Sequence, residues 1–196
     1  MDLTEHTVES RTLFEGHIVK LTLDRARLPD GTLADREVVY HPGGVAILAL
    51  DEGDNVALVR QYRYPMRQLL LELPAGKLDP GEDPRLAAAR ELSEETGLEA
   101  AEWTDLGEIL ASPGFCTERL HMYLARGLTH REQHLDKDEF LDVVTVPFRQ
   151  LADQVIDPQQ AGEAFPALGV EKTPVFLGYC EYRLRIDAVV LVVTSS

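Results

Sequence analysis

The chain has 196 residues, and its 34 acidic and 19 basic side chains give a formal net charge of −15. This charge would repel nucleic-acid phosphates, so we expect no nucleic-acid partner. No apolar run reaches the roughly 18–20 residues that cross a bilayer, and the acidic, polar N-terminus is unlike a secretory signal. Two cysteines make no disulfide framework. We therefore expect a cytoplasmic protein with no membrane association.

Strand and turn signals alternate through the first third of the chain. Residues 8–39 have the pattern of an antiparallel set, with strands at 18–24 and 36–40 around the turn Pro29-Asp30-Gly31. The segment is too small to fold alone. Three further short apolar segments predict strands at 45–50, 56–63 and 69–73.

A helix is predicted next. Asp83 is a good N-cap, Pro84 suits the first helical position, and Gly97 is a typical C-terminal stop after the helix-forming residues 85–95. We expect this helix to pack through one stripe, with its glutamates on the opposite face. The stripe consists of Leu86, Ala89, Leu92 and Ser93.

Three more strands, at 103–110, 120–125 and 140–146, are predicted before a short helix at 147–155. Strands interrupted by one strong helix, with another helix late, indicate an α+β fold or a mixed α/β/α sandwich. From residue 157 onward the pattern weakens.

The predicted helix carries three closely spaced carboxylates. Glu91, Glu94 and Glu95 lie within about one turn of each other, where like charges destabilise a helix unless a cation is bound against them. Oxygen ligands without thiolate or imidazole favour Mg²⁺ or Mn²⁺. Arg90 can pair with Glu94 four residues on, and Glu82 enters from the preceding glycine-containing loop. The alternative is an acidic helix face that is simply exposed to water.

Residues 76–98 read Gly, five residues, Glu, seven residues, and then Arg-Glu-Leu-Ser-Glu-Glu-Thr-Gly-Leu. This pattern resembles, position for position, the signature of the Nudix hydrolase family. The resemblance implies a Nudix fold, with a mixed sheet between helices. It also implies metal-dependent cleavage of a nucleoside diphosphate linked to another group.

The resemblance also implies roles for individual residues. Glu91 and Glu95 would be the principal metal ligands, Glu94 a further ligand with a catalytic role, and the backbone carbonyl of Ala75 another metal oxygen. Glu82 and Arg90 would orient the site through hydrogen bonds. The expected cofactor is Mg²⁺, or Mn²⁺, with two or three ions bound.

Features outside the signature resemble the ADP-ribose pyrophosphatase branch, over residues 18–155. Arg60 and Arg63 precede Leu-Glu-Leu-Pro-Ala-Gly, Gly114 lies in a Ser-Pro-Gly-Phe turn, and residues 136–143 form an acidic loop. The two arginines, close to the metal site, could grip a diphosphate. The resemblance implies that Arg63 contacts the diphosphate and that Gly114 lies beside the substrate.

By the same resemblance, Glu139 lies in a mobile loop as the general base or a ligand of a third metal ion. Simpler alternatives stay open: Arg63 as a sheet-surface arginine and Glu139 as a solvated loop residue. Asp136 and Asp138 are rivals for the role of Glu139.

In related enzymes, a segment like residues 1–40 pairs across a two-fold dimer and completes the adenine pocket. We therefore expect a homodimer in which Arg27 or Arg36 reaches the ligand. The Nudix domain is expected over residues 41–196, after this segment. Relatives that cleave ADP-ribose usually end in a helix. From about residue 157 this sequence departs from that pattern, because Pro166, Gly169 and Pro174 forbid one long helix.

The preferred function is hydrolysis of ADP-ribose to AMP and ribose 5-phosphate. The nearest alternative is a Nudix pyrophosphatase that acts on a GDP- or UDP-sugar, because the same metal helix serves both. A Nudix-like ligand sensor is a third interpretation. The sensor is disfavoured because all signature glutamates are present and the C-terminal stretch has no basic helix-turn-helix character.

Overall fold

The computed structural model describes residues 1–135, 137 and 139–156, and its first forty residues form a separate three-stranded sheet. The strands β1 (His6–Glu15), β2 (Lys20–Arg27) and β3 (Leu33–Tyr40) pair antiparallel in the order β1-β2-β3. The antiparallel N-terminal segment predicted from the sequence is therefore confirmed.

The second sheet has seven strands within the described residues. They are β4 (Gly44–Leu50), β5 (Asn55–Arg63), β6 (Gln68–Glu72), β7 (Ala75–Lys77), β8 (Leu98–Leu110), β9 (Arg119–His130) and β10 (Leu141–Pro147). The main order is β10-β5-β4-β9-β8, while β6 pairs with β5 and β7 pairs with β4. Because β4 and β9 run parallel and the other pairs run antiparallel, the sheet is mixed.

This sheet lies between the helices α1 (Pro84–Thr96) and α2 (Phe148–Ile156). Alternate side chains of the central strand β4 divide between two cores, as the two-residue period of a strand requires. Ile47 packs in the cluster that contains Leu92 of α1. Leu48 packs in the cluster that contains Leu151 of α2. The predicted mixed α/β/α sandwich is confirmed.

The ends of α1 are those that the sequence predicts. The Asp83 side chain accepts hydrogen bonds from the N–H groups of Arg85 and Leu86, and Pro84 is the first helical residue. Gly97 is left-handed, with φ of 66°, and its N–H bonds to the carbonyl of Ser93. Only a residue without a Cβ adopts this φ easily, which explains the glycine.

The predicted packing face of α1 is confirmed for Leu92, which is fully buried, and is wrong for Leu86 and for the glutamates. Leu86 is 65% exposed, whereas Glu91 and Glu95 are 9% and 3% exposed. The buried residues are Ala87, Ala88, Glu91, Leu92, Glu95 and Thr96. Two of the three signature glutamates on α1 thus face the sheet, because β7 provides a hydrogen-bond donor and a glycine there. Ordinary amphipathic reasoning does not anticipate buried carboxylates.

The described part of the chain contains no helix that is long and apolar enough to span a membrane. The interpretation of the sequence from residue 157 onward concerns residues outside those that the structure describes.

Candidate active site

The centre of the site is the contact between the buried face of α1 and the short strand β7. The backbone N–H of Ala75 donates to Oε2 of Glu95 at 2.9 Å. A Cβ added to Gly76 would lie 1.9 Å from Cδ of Glu91. The signature glycine is therefore needed because the Glu91 carboxylate lies directly against its backbone. The strand β7 could not be predicted from the sequence, because three residues after a proline are too few to show strand alternation.

Arg90 holds the other signature carboxylates together. Its Nε and Nη2 donate to the two oxygens of Glu82 at 3.0 and 2.9 Å. Its Nη1 donates to Glu91 at 2.8 Å and to Glu94 at 2.9 Å. The predicted Arg90–Glu94 pair is present, and it belongs to a network in which one planar guanidinium fixes three carboxylates. Arg90 also lowers the pKa of Glu82.

The site places two carboxyl groups, those of Glu91 and Glu95, where water has little access. Burial raises the pKa of Glu95 to about 8. Burial also raises the pKa of Glu91, although the adjacent Arg90 opposes that rise. The charge of Glu139 adds to both effects, while that of Arg63 opposes the rise at Glu95. A buried carboxylate is costly unless a positive charge balances it.

This donor set fits a divalent cation. Glu91, Glu94 and Glu95 offer carboxylate oxygens and Ala75 lies beside them with its main-chain carbonyl, all hard ligands of the kind that Mg²⁺ prefers. Among the described residues, no three Asp, Glu, His or Cys side chains are already arranged so that they could bind a metal ion. Two of the carboxylates are instead tied to Arg90. The glycine beside Glu91 and the buried charges are the structural observations that support the fit.

The two arginines of β5 lie on opposite faces of the sheet. Arg63 lies on the same face of β5 as Val59 and Ala57, and Ala57 packs in the core under α1. Arg60 is opposite Leu71, which packs in the core under α2, and it pairs with Asp142 at 2.6 Å. The expectation that both arginines lie near the metal site is corrected for Arg60, because neighbouring strand residues point to opposite faces. Arg63 lies on the side of the signature glutamates.

Glu139 lies just before β10 and is half-buried. Its negative charge acts on both Glu91 and Glu95, so it approaches the buried face of α1. Its role as a general base stays a prediction. Its rivals Asp136 and Asp138 lie outside the described residues.

The turn that contains Gly114 is attached to the N-terminal sheet. The backbone of Val39 on β3 accepts from Thr117 at 2.9 Å and donates to Phe115 at 2.7 Å. Gly114 is exposed, and an added Cβ would meet nothing within 4 Å. A side chain could therefore be accommodated at this position without a clash inside the protein. The contact of Gly114 with substrate stays a prediction.

The predicted ligand arginines of the N-terminal sheet have local partners. Arg36 forms an ion pair with Glu5 at 2.8 Å and is 41% exposed. Arg27 donates to the carbonyl of Gly31 at 3.2 Å. Among the described contacts, neither arginine is joined to α1.

Two features of the site were missed from the sequence. Glu72 accepts hydrogen bonds from Arg63 and Gln61. The segment after β9 covers the end of α1, where the Gln133 side chain donates to the carbonyl of Glu95 and the His134 N–H to that of Glu94. A glutamate within the apolar run Leu-Leu-Leu-Glu-Leu was a usable signal for the first feature. The second depends on the path of the chain and had no signal.

A mixed sheet between two helices, with buried carboxylates and a fixed arginine at one helix, is the kind of site that metal-dependent hydrolases of phosphate compounds use. Comparison with known families agrees with this class. Residues 40–168 match the NUDIX domain, and residues 5–39 match the nucleoside diphosphate sugar hydrolase N-terminal domain. The chain belongs to the Nudix hydrolase family, as its signature predicts.

Several characterised proteins are similar to this chain. A methanol dehydrogenase activator of Bacillus methanolicus is 44% identical over 142 residues, covering 71% of this chain and 77% of that protein. An ADP-ribose pyrophosphatase of Bacillus subtilis is 36% identical over 171 residues, covering 86% and 92%. A GDP-mannose pyrophosphatase of Klebsiella pneumoniae is 30% identical over 171 residues, covering 80% and 85%.

The fold is similar to that in a crystal structure of an ADP compounds hydrolase. The TM-score is 0.70 at 23% identity, with 81% of this chain and 86% of that chain covered. At this identity the similarity bears on the fold alone. The family establishes the coarse activity, which is hydrolysis of a pyrophosphate bond with divalent metal ions.

Proposed function

We propose that the protein hydrolyses the pyrophosphate bond of ADP-ribose to give AMP and ribose 5-phosphate, with Mg²⁺ as the cofactor. Mn²⁺ is the substitute metal, and two or three ions are bound. The relatives named ADP-ribose pyrophosphatase support this substrate, with 36% identity over 86% of the chain in one case and 48% over 64% in another.

The structural observation that carries the diphosphate part of the proposal is the position of Arg63, while the choice of ADP-ribose rests on the relatives. In a chain with a net charge of −15, an anionic substrate needs a local cation. Arg63 lies on the α1 side of the sheet, where its charge acts on Glu95. An arginine beside the carboxylates that would bind the metal could form bidentate hydrogen bonds to the phosphate oxygens, as guanidinium groups favour.

The other residues of the site would bind the metal ions, accept a proton and hold the ligands in position. Glu91, Glu95, Glu94 and the Ala75 carbonyl would hold the cations. A divalent cation at this place supplies charge stabilisation and a lowered pKa of water. Glu139 would accept the proton of the attacking water, while Arg90 keeps the ligand carboxylates in position through its bonds to Glu91 and Glu94.

A substrate panel tests the proposal. Purified protein with Mg²⁺ is assayed against ADP-ribose, NADH, GDP-mannose, UDP-glucose and diadenosine polyphosphates, with products identified by chromatography. We expect the highest kcat/KM for ADP-ribose, with AMP and ribose 5-phosphate formed in equal amounts. Glu95→Gln should abolish turnover, and Asp54→Asn, at the distant β4–β5 turn, should retain it.

A second candidate substrate is a GDP- or UDP-sugar. The GDP-mannose pyrophosphatase relative favours this alternative, since the carboxylates and Arg63 would contact the diphosphate and not the base. If GDP-mannose is cleaved at least about tenfold faster than ADP-ribose, the substrate assignment fails while the reaction class stands. A tenfold ratio of kcat/KM corresponds to about 1.4 kcal/mol of difference in transition-state binding between the two substrates. A ligand sensor would bind without forming product.

We further propose that residues 1–40 form a dimerising segment of a cytoplasmic homodimer, with the Nudix domain over residues 41–196. The edge strand β1 is exposed at every position, including Val8, Leu13 and Phe14, which are 52%, 45% and 57% exposed. An exposed apolar edge strand is typical of a surface that pairs with another chain. Light scattering at micromolar concentration tests this, and a monomer would reject it.

A further inference from the structure

A half-buried acidic side chain ends the strand β6. Glu72 lies between Leu71 and Leu73, and its side chain is only 13% exposed. A carboxylate with so little exposed area is expected to have hydrogen-bond partners in the protein. Those partners are Arg63 and Gln61, both on the neighbouring strand β5.

The contacts fix the plane of the Arg63 guanidinium. Its Nε donates to Oε1 and Oε2 of Glu72 at 3.2 and 2.9 Å, and Nη2 lies 2.8 Å from Oε2. Gln61 donates to the same Oε2 at 3.1 Å. Within the described part of the chain these bonds use the Nε–Nη2 edge of the guanidinium, and the edge formed by Nη1 and the second N–H of Nη2 is left for a ligand. The Arg63 side chain is 43% exposed, so a ligand can reach it.

Strand register places this pair on the catalytic side of the sheet. Glu72 is opposite Val59 and therefore shares a face with Gln61 and Arg63. Three residues after Glu72, the N–H of Ala75 holds Glu95. The short segment 72–75 thus fixes an arginine at one end and a buried signature glutamate at the other.

The charges nearby explain why the Arg63 side chain needs to be held in place by Glu72. The charge of Arg63 already acts on Glu95, and that of Glu139 acts on Glu91 and Glu95, so a mobile guanidinium would be drawn toward this acidic group. An arginine that turned onto those carboxylates would be lost to an anionic ligand and would compete with cations there. A fixed carboxylate on the far edge of the guanidinium prevents this turn and reduces the rotamer freedom lost on binding.

We propose that Glu72 is a positioning residue, which holds Arg63 away from the signature carboxylates and presents it to the diphosphate of the substrate. The inference rests on the proposed function of Arg63 and adds the residue that makes it effective. It assigns Glu72 no contact with substrate.

A double-mutant cycle tests the proposal with Glu72→Ala, Arg63→Ala and the double variant. Binding of α,β-methylene-ADP, which carries a diphosphate that resists hydrolysis, is measured by calorimetry, and KM and kcat are measured for the best substrate of the panel. Arg63→Ala should weaken binding roughly 10–100-fold, the range for a lost hydrogen bond to a charged group. Glu72→Ala should weaken it about tenfold by the same reasoning.

The decisive result is the double variant, which should bind no more weakly than Arg63→Ala alone, since Glu72 acts through Arg63. The effect should appear in KM, with kcat changed by no more than about threefold. Glu72→Gln keeps the side-chain volume and should give an intermediate loss, which separates positioning from folding. Asp54→Asn, which breaks the distant Asp54–Arg126 pair, is the matched control.

Independent effects, in which the double variant loses the product of both single losses, would overturn the proposal. Unchanged binding in Glu72→Ala would do the same. If the panel returns another nucleotide sugar as the substrate, the cycle is run with the KM of that compound. Failure of the ADP-ribose assignment is therefore seen in the panel, and failure of the positioning role is seen in the cycle.

Discussion

Replacement of Gly76 by alanine should disable the site while leaving the sheet intact. The new Cβ would lie 1.9 Å from Cδ, 2.0 Å from Oε1 and 2.3 Å from Oε2 of Glu91. Ordinary contacts between such atoms are about 3.5 Å, so the carboxylate must move by about 1.5 Å. Gly76 also pairs with Val45 of the central strand, which restrains its backbone from moving instead.

The size of the expected loss follows from this displacement. Metal–ligand distances tolerate about 0.2 Å, and a misplacement of about 1 Å in an active site costs roughly 100-fold in rate. We therefore expect Gly76→Ala to lower kcat by about 100-fold or more and to raise the Mg²⁺ concentration for half-maximal activity by about 10–100-fold.

The assay is a magnesium titration of steady-state hydrolysis at a temperature well below the Tm of each variant. Gly53→Ala is the control, because its Cβ would meet the Asn55 side-chain amide at 2.9 Å in the distant β4–β5 turn, where that flexible group can shift. Wild-type kcat and magnesium dependence in a folded Gly76→Ala protein would refute the reasoning. That result would mean that the Glu91 carboxylate does not act from the place it occupies here.

Four further predictions concern single residues of the site and the N-terminal sheet. Arg90→Lys should lower kcat by about 10–100-fold in steady-state assays, because an ammonium group cannot hold three carboxylates at once; full activity would contradict the network. Glu139→Gln should lower kcat by roughly 10²–10⁴ if this residue is the general base, and unchanged turnover would reassign the role to a signature glutamate. Arg63→Gln should raise KM far more than Arg60→Gln, whose exposed-side ion pair is worth only about 0–1 kcal/mol, and equal KM effects would reject the division of the two faces. Phe14→Asp in the exposed strand β1 should shift the light-scattering mass from dimer to monomer, and an unchanged dimer would place the interface elsewhere.

Much of the fold could be predicted from the sequence because its signals are local. The Asp83 cap, Pro84 and Gly97 each act on the backbone within one turn, and the structure has α1 ending where they indicate. The order of strand signals around that helix sufficed for the mixed sandwich. Strand ends were less certain: β9 extends from Arg119 to His130, well beyond the predicted 120–125, because pairing with β8 prolongs it.

The sequence alone indicates that the two arginines of β5 lie on opposite faces of the sheet. Arg60 and Arg63 are three positions apart, and a two-residue period sends them to opposite faces. The partners Asp142 and Glu72 could not be inferred in the same way. They depend on the registers of β10 and β6 against β5, which only the folded sheet fixes.

The sequence by itself determined which carboxylates the helix carries and how far apart they lie, since helical spacing is a local property of the chain. Only the tertiary structure decided that Glu91 and Glu95 turn inward, because the glycine and the backbone N–H that receive them belong to β7. The packing of α1 against that strand supplies hydrogen bonds and space that no pattern along the helix contains. For this reason the two glutamates are buried where an amphipathic helix would place apolar side chains.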